Sequence, residues 1–171
     1  NTQSLASVPA ILRNGATWFA GLGPDGSGGT ALFSVSGHVQ KPGNFELPMG
    51  IPFKDLLEFS GGMLGGRKLK AVIPGGSSVP VLPGEIIMDC TMDYNSLKDA
   101  GSSFGTGAVV VMDETTCMVN MLRRIARFYM AESCGQCTPC REGTGWLYRM
   151  LTRIVDGDGQ EDDLGKLLDV A

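Results

Sequence analysis

Glycine is spread unevenly along this chain, and the unevenness divides it. Of 25 glycines in 171 residues, 19 lie at or before Gly107 and six after it. Glycine weakens helix and strand interiors and serves where the backbone turns tightly. The first part is therefore turn-rich and built from short elements, while the last part is free to form long helices. No G-X-Y period is present, which excludes a collagen-like triple helix. With 43% hydrophobic and 19% charged residues the chain is globular rather than disordered. Its length suffices for one domain with a sizeable core or for two small ones. Mean hydropathy is +0.07. No apolar run approaches the ~20 residues that cross a bilayer, so direct membrane insertion is not expected. A net charge of −4 argues against nucleic acid as a partner. The chain opens on Asn1 with no charged-then-apolar leader behind it, and it reads as a piece of a longer one.

Pattern places the elements. Pro9 suits the first turn of a short helix, with Ile11, Leu12, Trp18 and Phe19 on its apolar side. From Thr30 the period becomes two: Ala31, Phe33 and Val35 alternate with Leu32, Ser34 and Ser36, a half-buried strand. Lys41-Pro42-Gly43-Asn44 is turn chemistry, and Phe45–Leu47 reads as the returning strand. Phe53, Leu56 and Leu57 share one helical face before Gly61-Gly62 stops the helix. Short apolar pieces at 69–73, 79–82 and 108–112 read as strands. Strand, strand, helix, then strands predicts an α+β fold, a ubiquitin-like β-grasp sheet holding one helix. A ferredoxin-like alternative needs a second crossing helix, which only the weak 94–100 stretch supplies. Three amphipathic helices follow, at 115–130 (capped by Asp113 or Thr115), 142–155 (Trp146, Met150 and Ile154 aligned) and from 163 to 170. They predict a small bundle.

Between the first two of these helices lie Cys134, Cys137 and Cys140, three of five cysteines. An odd, clustered set does not read as a secreted disulfide framework; it reads as metal or cluster ligation in a reducing compartment. C-x2-C-x2-C lets a short loop wrap one corner of an iron–sulfur cubane, with a fourth thiolate elsewhere. Gly135 and Pro139 keep the loop out of helix, and a helix beginning near Arg141 or Glu142 aims its positive end at the cluster. Arg141 adds a charge beside the third thiolate. Three other readings stay open on spacing alone: idle buried thiols, a zinc site, which prefers C-x2-C knuckles set far apart, and C-x-x-C disulfide chemistry.

The run Glu132-Ser133-Cys134-Gly135-Gln136-Cys137-Thr138-Pro139-Cys140-Arg141-Glu142-Gly143 resembles the cluster motif of the flavin- and NADH-binding subunit of NADH:quinone oxidoreductase, respiratory complex I. Trp18–Gly23, Ser36–Val39, Ala71–Ser78 and Gly105–Asp113 are similar to the same family, in the family's order. The resemblance covers essentially the whole chain. It implies a protein in which a Rossmann-like domain binds FMN and NADH, a soluble-ligand-binding β-grasp domain follows, and a helical bundle holds one 4Fe–4S cluster. Hydride passes from NADH to FMN, and single electrons leave through the cluster. On this alignment residues 1–29 are a helix and linker after the Rossmann-like domain, 30–113 the β-grasp domain and 114–171 the start of the bundle. Cys134, Cys137 and Cys140 become cluster ligands, with the fourth beyond Ala171, and Arg141 tunes the cluster. Asn1 and Ser4 fall near the flavin, although the residues between them differ from the family's. The implied partners are the other subunits of the peripheral arm, including a 2Fe–2S subunit of the 24 kDa type. The implied place is cytoplasmic, on the inner face of the plasma membrane.

Soluble NAD-linked hydrogenases and formate dehydrogenases carry a similar subunit, and a β-grasp docking module without redox chemistry is the reading from another class. Of the remaining residues, Cys90 and Cys117 read as packing thiols and His38 as a hydrogen-bonded structural histidine. Gly75-Gly76-Ser77-Ser78 reads as a turn, because no P-loop lysine and no helix follow. Arg123, Arg124 and Arg127 make a basic helix face that the acidic 156–163 stretch or a partner subunit could meet.

Overall fold

A computed structural model describes residues 1–171, which divide into two compact units, Asn1–Thr115 and Thr116–Ala171. The first unit is built on a five-stranded mixed sheet. Its strands are β1 (Thr30–Gly37), β2 (Gly43–Pro48), β3 (Leu69–Ile73), β4 (Leu82–Pro83) and β5 (Ala108–Asp113), in the order β2-β1-β5-β3-β4. β1 and β2 form the expected antiparallel hairpin, with Thr30 opposite Pro48 and Val35 opposite Gly43. β5 runs parallel to β1 and antiparallel to β3, so the last strand of the unit becomes its centre. Gly37 of β1 pairs with Val111 of β5. Its φ is +89°, and a Cβ there would run into the Val111 carbonyl oxygen.

The alternation read from the sequence of β1 is the alternation observed: Ala31, Phe33 and Val35 are buried, and Leu32 and Ser34 are exposed. Helix α3 (Phe53–Phe59) buries Phe53, Leu56 and Leu57 in the same core as Phe33, Val72, Val109 and Val111. It ends as expected, at two glycines with φ near +78°, whose N–H groups bond the Glu58 and Leu57 carbonyls. The stretch at 94–100 does form a helix, α5 (Tyr94–Asp99), and α4 (Gly84–Ile87) precedes it. Asp93 caps α5 by accepting from the Asn95 and Ser96 N–H groups.

Three local expectations for this unit fail. Pro9 does not open a helix. α1 (Thr2–Asn14) starts seven residues earlier, with Asn1 as its cap, and runs through Pro9 with none of its residues buried. Leu12, expected on an apolar side, is exposed. A short α2 (Ala16–Ala20) carries Trp18 and Phe19 separately. The strand expected at 79–82 shrinks to Leu82–Pro83, because 76–80 is occupied by turns.

The second unit contains α6 (Met118–Glu132), α7 (Thr144–Val155) and α8 (Asp163–Val170), with a turn of wide π-type helix at Pro139–Gly143. α6 begins three residues later than the sequence suggests and has no side-chain cap. Asp113 is committed elsewhere: its Oδ1 accepts from the Thr115 N–H and hydroxyl. Of the apolar stripes, Ala126 and Leu151 are buried, whereas Trp146, Leu122 and Phe128 stand about half exposed. Arg123 reaches Asp156 at 3.5 Å, which joins the basic face of α6 to the acidic stretch. Asp163, 1% exposed, accepts from Arg153 and from the Gln160 N–H, and both hold its carboxyl below the usual carboxylate range.

Candidate metal centre

The three clustered cysteines are all exposed: Cys134 and Cys137 lie in the loop after α6, and Cys140 lies in the turn that leads into α7. α6 stops at Ser133, whose ψ of 128° turns the chain out of helix. Cys134 follows, and then Gly135 with φ +76°, a left-handed conformation that costs an L-residue with a side chain about 1–2 kcal/mol. The expectation that Pro139 keeps the loop out of helix is wrong in its direction. Pro139 is the first residue of the wide turn, where its fixed φ suits a start and its missing N–H is not needed. Cys140 therefore sits inside the first turn. Its neighbour's N–H already bonds the Cys137 carbonyl at 2.9 Å. Thr144 closes the turn by donating its hydroxyl to the Cys140 carbonyl at 2.7 Å.

Arg141 is fully engaged. Its Nη1 donates to the Gly135 carbonyl at 3.0 Å and to the Gln136 carbonyl at 3.4 Å. Nη2 donates to Thr138 Oγ1 at 3.3 Å, and Nε pairs with Glu142 Oε1 at 3.0 Å. The guanidinium thus clamps the loop's backbone, and a carboxylate answers its charge. Ser133 does related work that spacing alone does not reveal. Its Oγ accepts from the Gly135 N–H at 3.3 Å and from the Cys140 thiol at 3.4 Å. The signal that could have found it is a serine directly after a helix and two residues before a glycine, a turn-forming pattern.

The donor set suits an iron–sulfur cubane. Three soft thiol ligands share one loop, a left-handed glycine bends it, and a helix start lies beneath it. A zinc tetrahedron prefers paired C-x2-C knuckles set far apart, whereas these three thiols follow one another in a single short stretch. A cubane instead binds each thiolate at a different corner.

The other singled-out residues fall as follows. Cys90 is buried and its thiol donates to the Ile86 carbonyl at 3.3 Å, and burial pushes its pKa up. Cys117, expected to pack, is exposed at the residue before α6. His38 is hydrogen-bonded, as expected, through Nδ1 to the Asp113 backbone. Asn1 and Ser4 are brought together as a helix cap, Asn1 Oδ1 accepting from the Ser4 N–H and hydroxyl at 2.9 and 3.0 Å. Residues 75–78 are bend and turn, and they lead to the short strand β4 rather than directly into a helix.

Both units of the chain resemble known proteins. Residues 120–171 match the NADH-ubiquinone oxidoreductase-F iron–sulfur binding region, and residues 31–111 match the SLBB domain. The NADH-quinone oxidoreductase-F protein of Rickettsia bellii (strain OSU 85-389) is 53% identical over 172 positions, covering 99% of this chain and 41% of the relative. The chain is a homologue of NADH-quinone oxidoreductase-F. The corresponding protein of Rickettsia akari (strain Hartford) is 50% identical, covering 99% of this chain and 40% of the relative. This chain thus spans about two fifths of the length of the oxidoreductase-F relatives it matches. Among solved structures, an NAD+-reducing [NiFe]-hydrogenase in its air-oxidised state superposes with a TM-score of 0.86 at 34% identity. That match covers 99% of this chain and 29% of the hydrogenase chain.

Proposed function

We propose that this chain is the β-grasp and iron–sulfur part of the NADH-oxidising subunit of NADH-quinone oxidoreductase. Cys134, Cys137 and Cys140 supply three of the four ligands of its 4Fe–4S cluster. The observation that carries this reading is three exposed thiols on one clamped loop, within the stretch matched to the oxidoreductase-F iron–sulfur binding region. When bound, such a cluster accepts and releases one electron at a time, which suits it to follow the two-electron chemistry of NADH and FMN. The chain's own contribution is to hold the thiolates. Gly135 bends the loop, Arg141 ties the Gly135 and Gln136 carbonyls to the helix start, and Thr144 fixes the Cys140 carbonyl.

FMN and NADH bind in the remainder of the longer protein, with Asn1 and Ser4 near the flavin. Partners are the other subunits of the peripheral arm, among them the 2Fe–2S subunit, and the assembly sits on the inner face of the membrane. No helix here is long and apolar enough to cross a membrane. A second reading, the corresponding subunit of a soluble NAD-linked hydrogenase, is favoured by the structural likeness at 34% identity. The 53% identity to the quinone-linked relative favours the first.

The test is anaerobic purification of the full-length protein, with iron and sulfide counted. Addition of NADH should then produce the paramagnetic signal of a reduced cluster, and Cys137→Ser should abolish it. Zinc in place of iron, or an iron signal indifferent to Cys137→Ser, overturns the proposal.

A further inference from the structure

The Ser133–Cys140 contact has a polarity that ligation must reverse. A hydroxyl has one hydrogen to give and two lone pairs to receive with. Ser133 Oγ spends one lone pair on the Gly135 N–H at 3.3 Å, and its second neighbour is Cys140 Sγ at 3.4 Å. While Cys140 is a thiol, its S–H is the donor. As a ligand Cys140 is a thiolate with no hydrogen, so the only hydrogen the two atoms can share is the hydroxyl's. Accepting from Gly135 also polarises that hydroxyl and makes it the better donor. Ser133 is held for this role. It ends α6, its backbone leaves the helix there, and it is partly buried while the cysteines around it are exposed.

We infer that Ser133 Oγ–H donates a hydrogen bond to the Cys140 thiolate and thereby raises the reduction potential of the cluster. The inference rests on the reading of Cys140 as a ligand. Reduction adds one electron to the cluster and moves no proton; the hydroxyl keeps its hydrogen throughout. The added negative charge is shared with the ligand sulfurs, so a donor aimed at one of them binds the reduced form more tightly than the oxidised form. Hydrogen bonds to cluster sulfurs are among the recognised determinants of such potentials. No other serine or threonine hydroxyl bonds a clustered cysteine sulfur: those of Thr138 and Thr144 bond Arg141 and the Cys140 carbonyl.

The experiment is a redox titration of the full-length protein followed by electron paramagnetic resonance, on wild type, Ser133→Ala and Ser133→Thr, with iron counted in each. At the wild-type midpoint, Ser133→Ala should show a severalfold smaller reduced fraction at unchanged iron content. A tenfold change in the reduced-to-oxidised ratio would be ~59 mV. Ser133→Thr keeps the hydroxyl and should return the midpoint to the wild-type value. An unchanged or raised midpoint in Ser133→Ala overturns the inference. So does loss of the cluster in Ser133→Ala, which would make the hydroxyl an assembly element. Wild-type protein that holds no iron–sulfur cluster defeats the functional reading itself, a different failure.

Discussion

His38 Nδ1 lies 3.1 Å from the backbone nitrogen of Asp113 and 3.2 Å from its Oδ1. The first contact needs an unprotonated Nδ1 that accepts the amide hydrogen; the second becomes a hydrogen bond when Nδ1 is protonated. The same carboxylate accepts from Arg67 at 3.0 Å and from the Thr115 hydroxyl at 2.7 Å, and Asp113 is fully buried. His38 follows β1, Arg67 precedes β3 and Asp113 ends β5. One buried carboxylate therefore ties together the ends of three neighbouring strands.

Replacing His38 by Ala strands the Asp113 amide in a buried position. Leaving a buried donor unmade costs about 1–3 kcal/mol. The expected result is a lower urea midpoint and faster hydrogen exchange at the Asp113 amide. An exchange rate equal to wild type would show that another acceptor takes over.

Acid should loosen this unit. The Thr115 hydroxyl, with Arg67, holds the Asp113 carboxyl down to about 2 from its ordinary 3.8. A carboxylate depressed on folding stabilises fully above its unfolded value, and that contribution is lost as pH falls through the folded value. Protection of the Val109 and Val111 amides should therefore decline between about pH 4 and pH 2. Asp113→Asn should be less stable at neutral pH and show a flatter decline over that window. A steeper decline in the variant would place the titrating group elsewhere.

Two left-handed glycines should respond differently to alanine. At Gly135 an added Cβ meets only Arg141 Cδ at 4.0 Å, so the cost is conformational, about 1–2 kcal/mol. At Gly37 the Cβ also strikes the backbone of β5, and the expected loss is at least ~3 kcal/mol. Thermal melts of the two variants, compared with wild type, decide the order.

Arg141 and Glu142 should act on the cluster as a cancelling pair. Both are about half exposed, so each charge removed alone is worth about 30–80 mV after solvent screening. Arg141→Gln should lower the midpoint, Glu142→Gln raise it, and the double variant return it. Arg141→Lys keeps the charge but cannot reach the Gly135, Gln136 and Thr138 acceptors together. It should leave the midpoint near wild type while a chelator strips iron roughly fivefold faster, the equivalent of about one net hydrogen bond. Equal rates of iron loss would remove the clamp from consideration.

Much of this is legible in the sequence where a pattern repeats. The period-two burial of Ala31, Phe33 and Val35, the face shared by Phe53, Leu56 and Leu57, and α8 itself all follow from spacing. What escapes is decided by single contacts. The sequence offers Asp113 as a cap for the helix after it, yet it is bound to Thr115, Arg67 and His38, and the last two lie far off in sequence. Pro9 sits within a helix because α1 takes its start from the Asn1 cap. Residue type alone makes Cys117 a packing thiol, but its burial depends on what surrounds the start of α6. Around the cysteines, spacing names Cys134, Cys137 and Cys140. The work of Ser133 and the clamping geometry of Arg141 need coordinates, because each depends on where a loop carbonyl or a sulfur points.

The cysteine loop is open to whatever the solvent carries. Cys134, Cys137 and Cys140 all face outward, and backbone and side-chain hydrogen bonds already shape the segment that bears them. Thiols so placed are within reach of oxidants and metal ions in the surrounding water. The same openness would leave a cluster held there reachable by chelators from the solvent side.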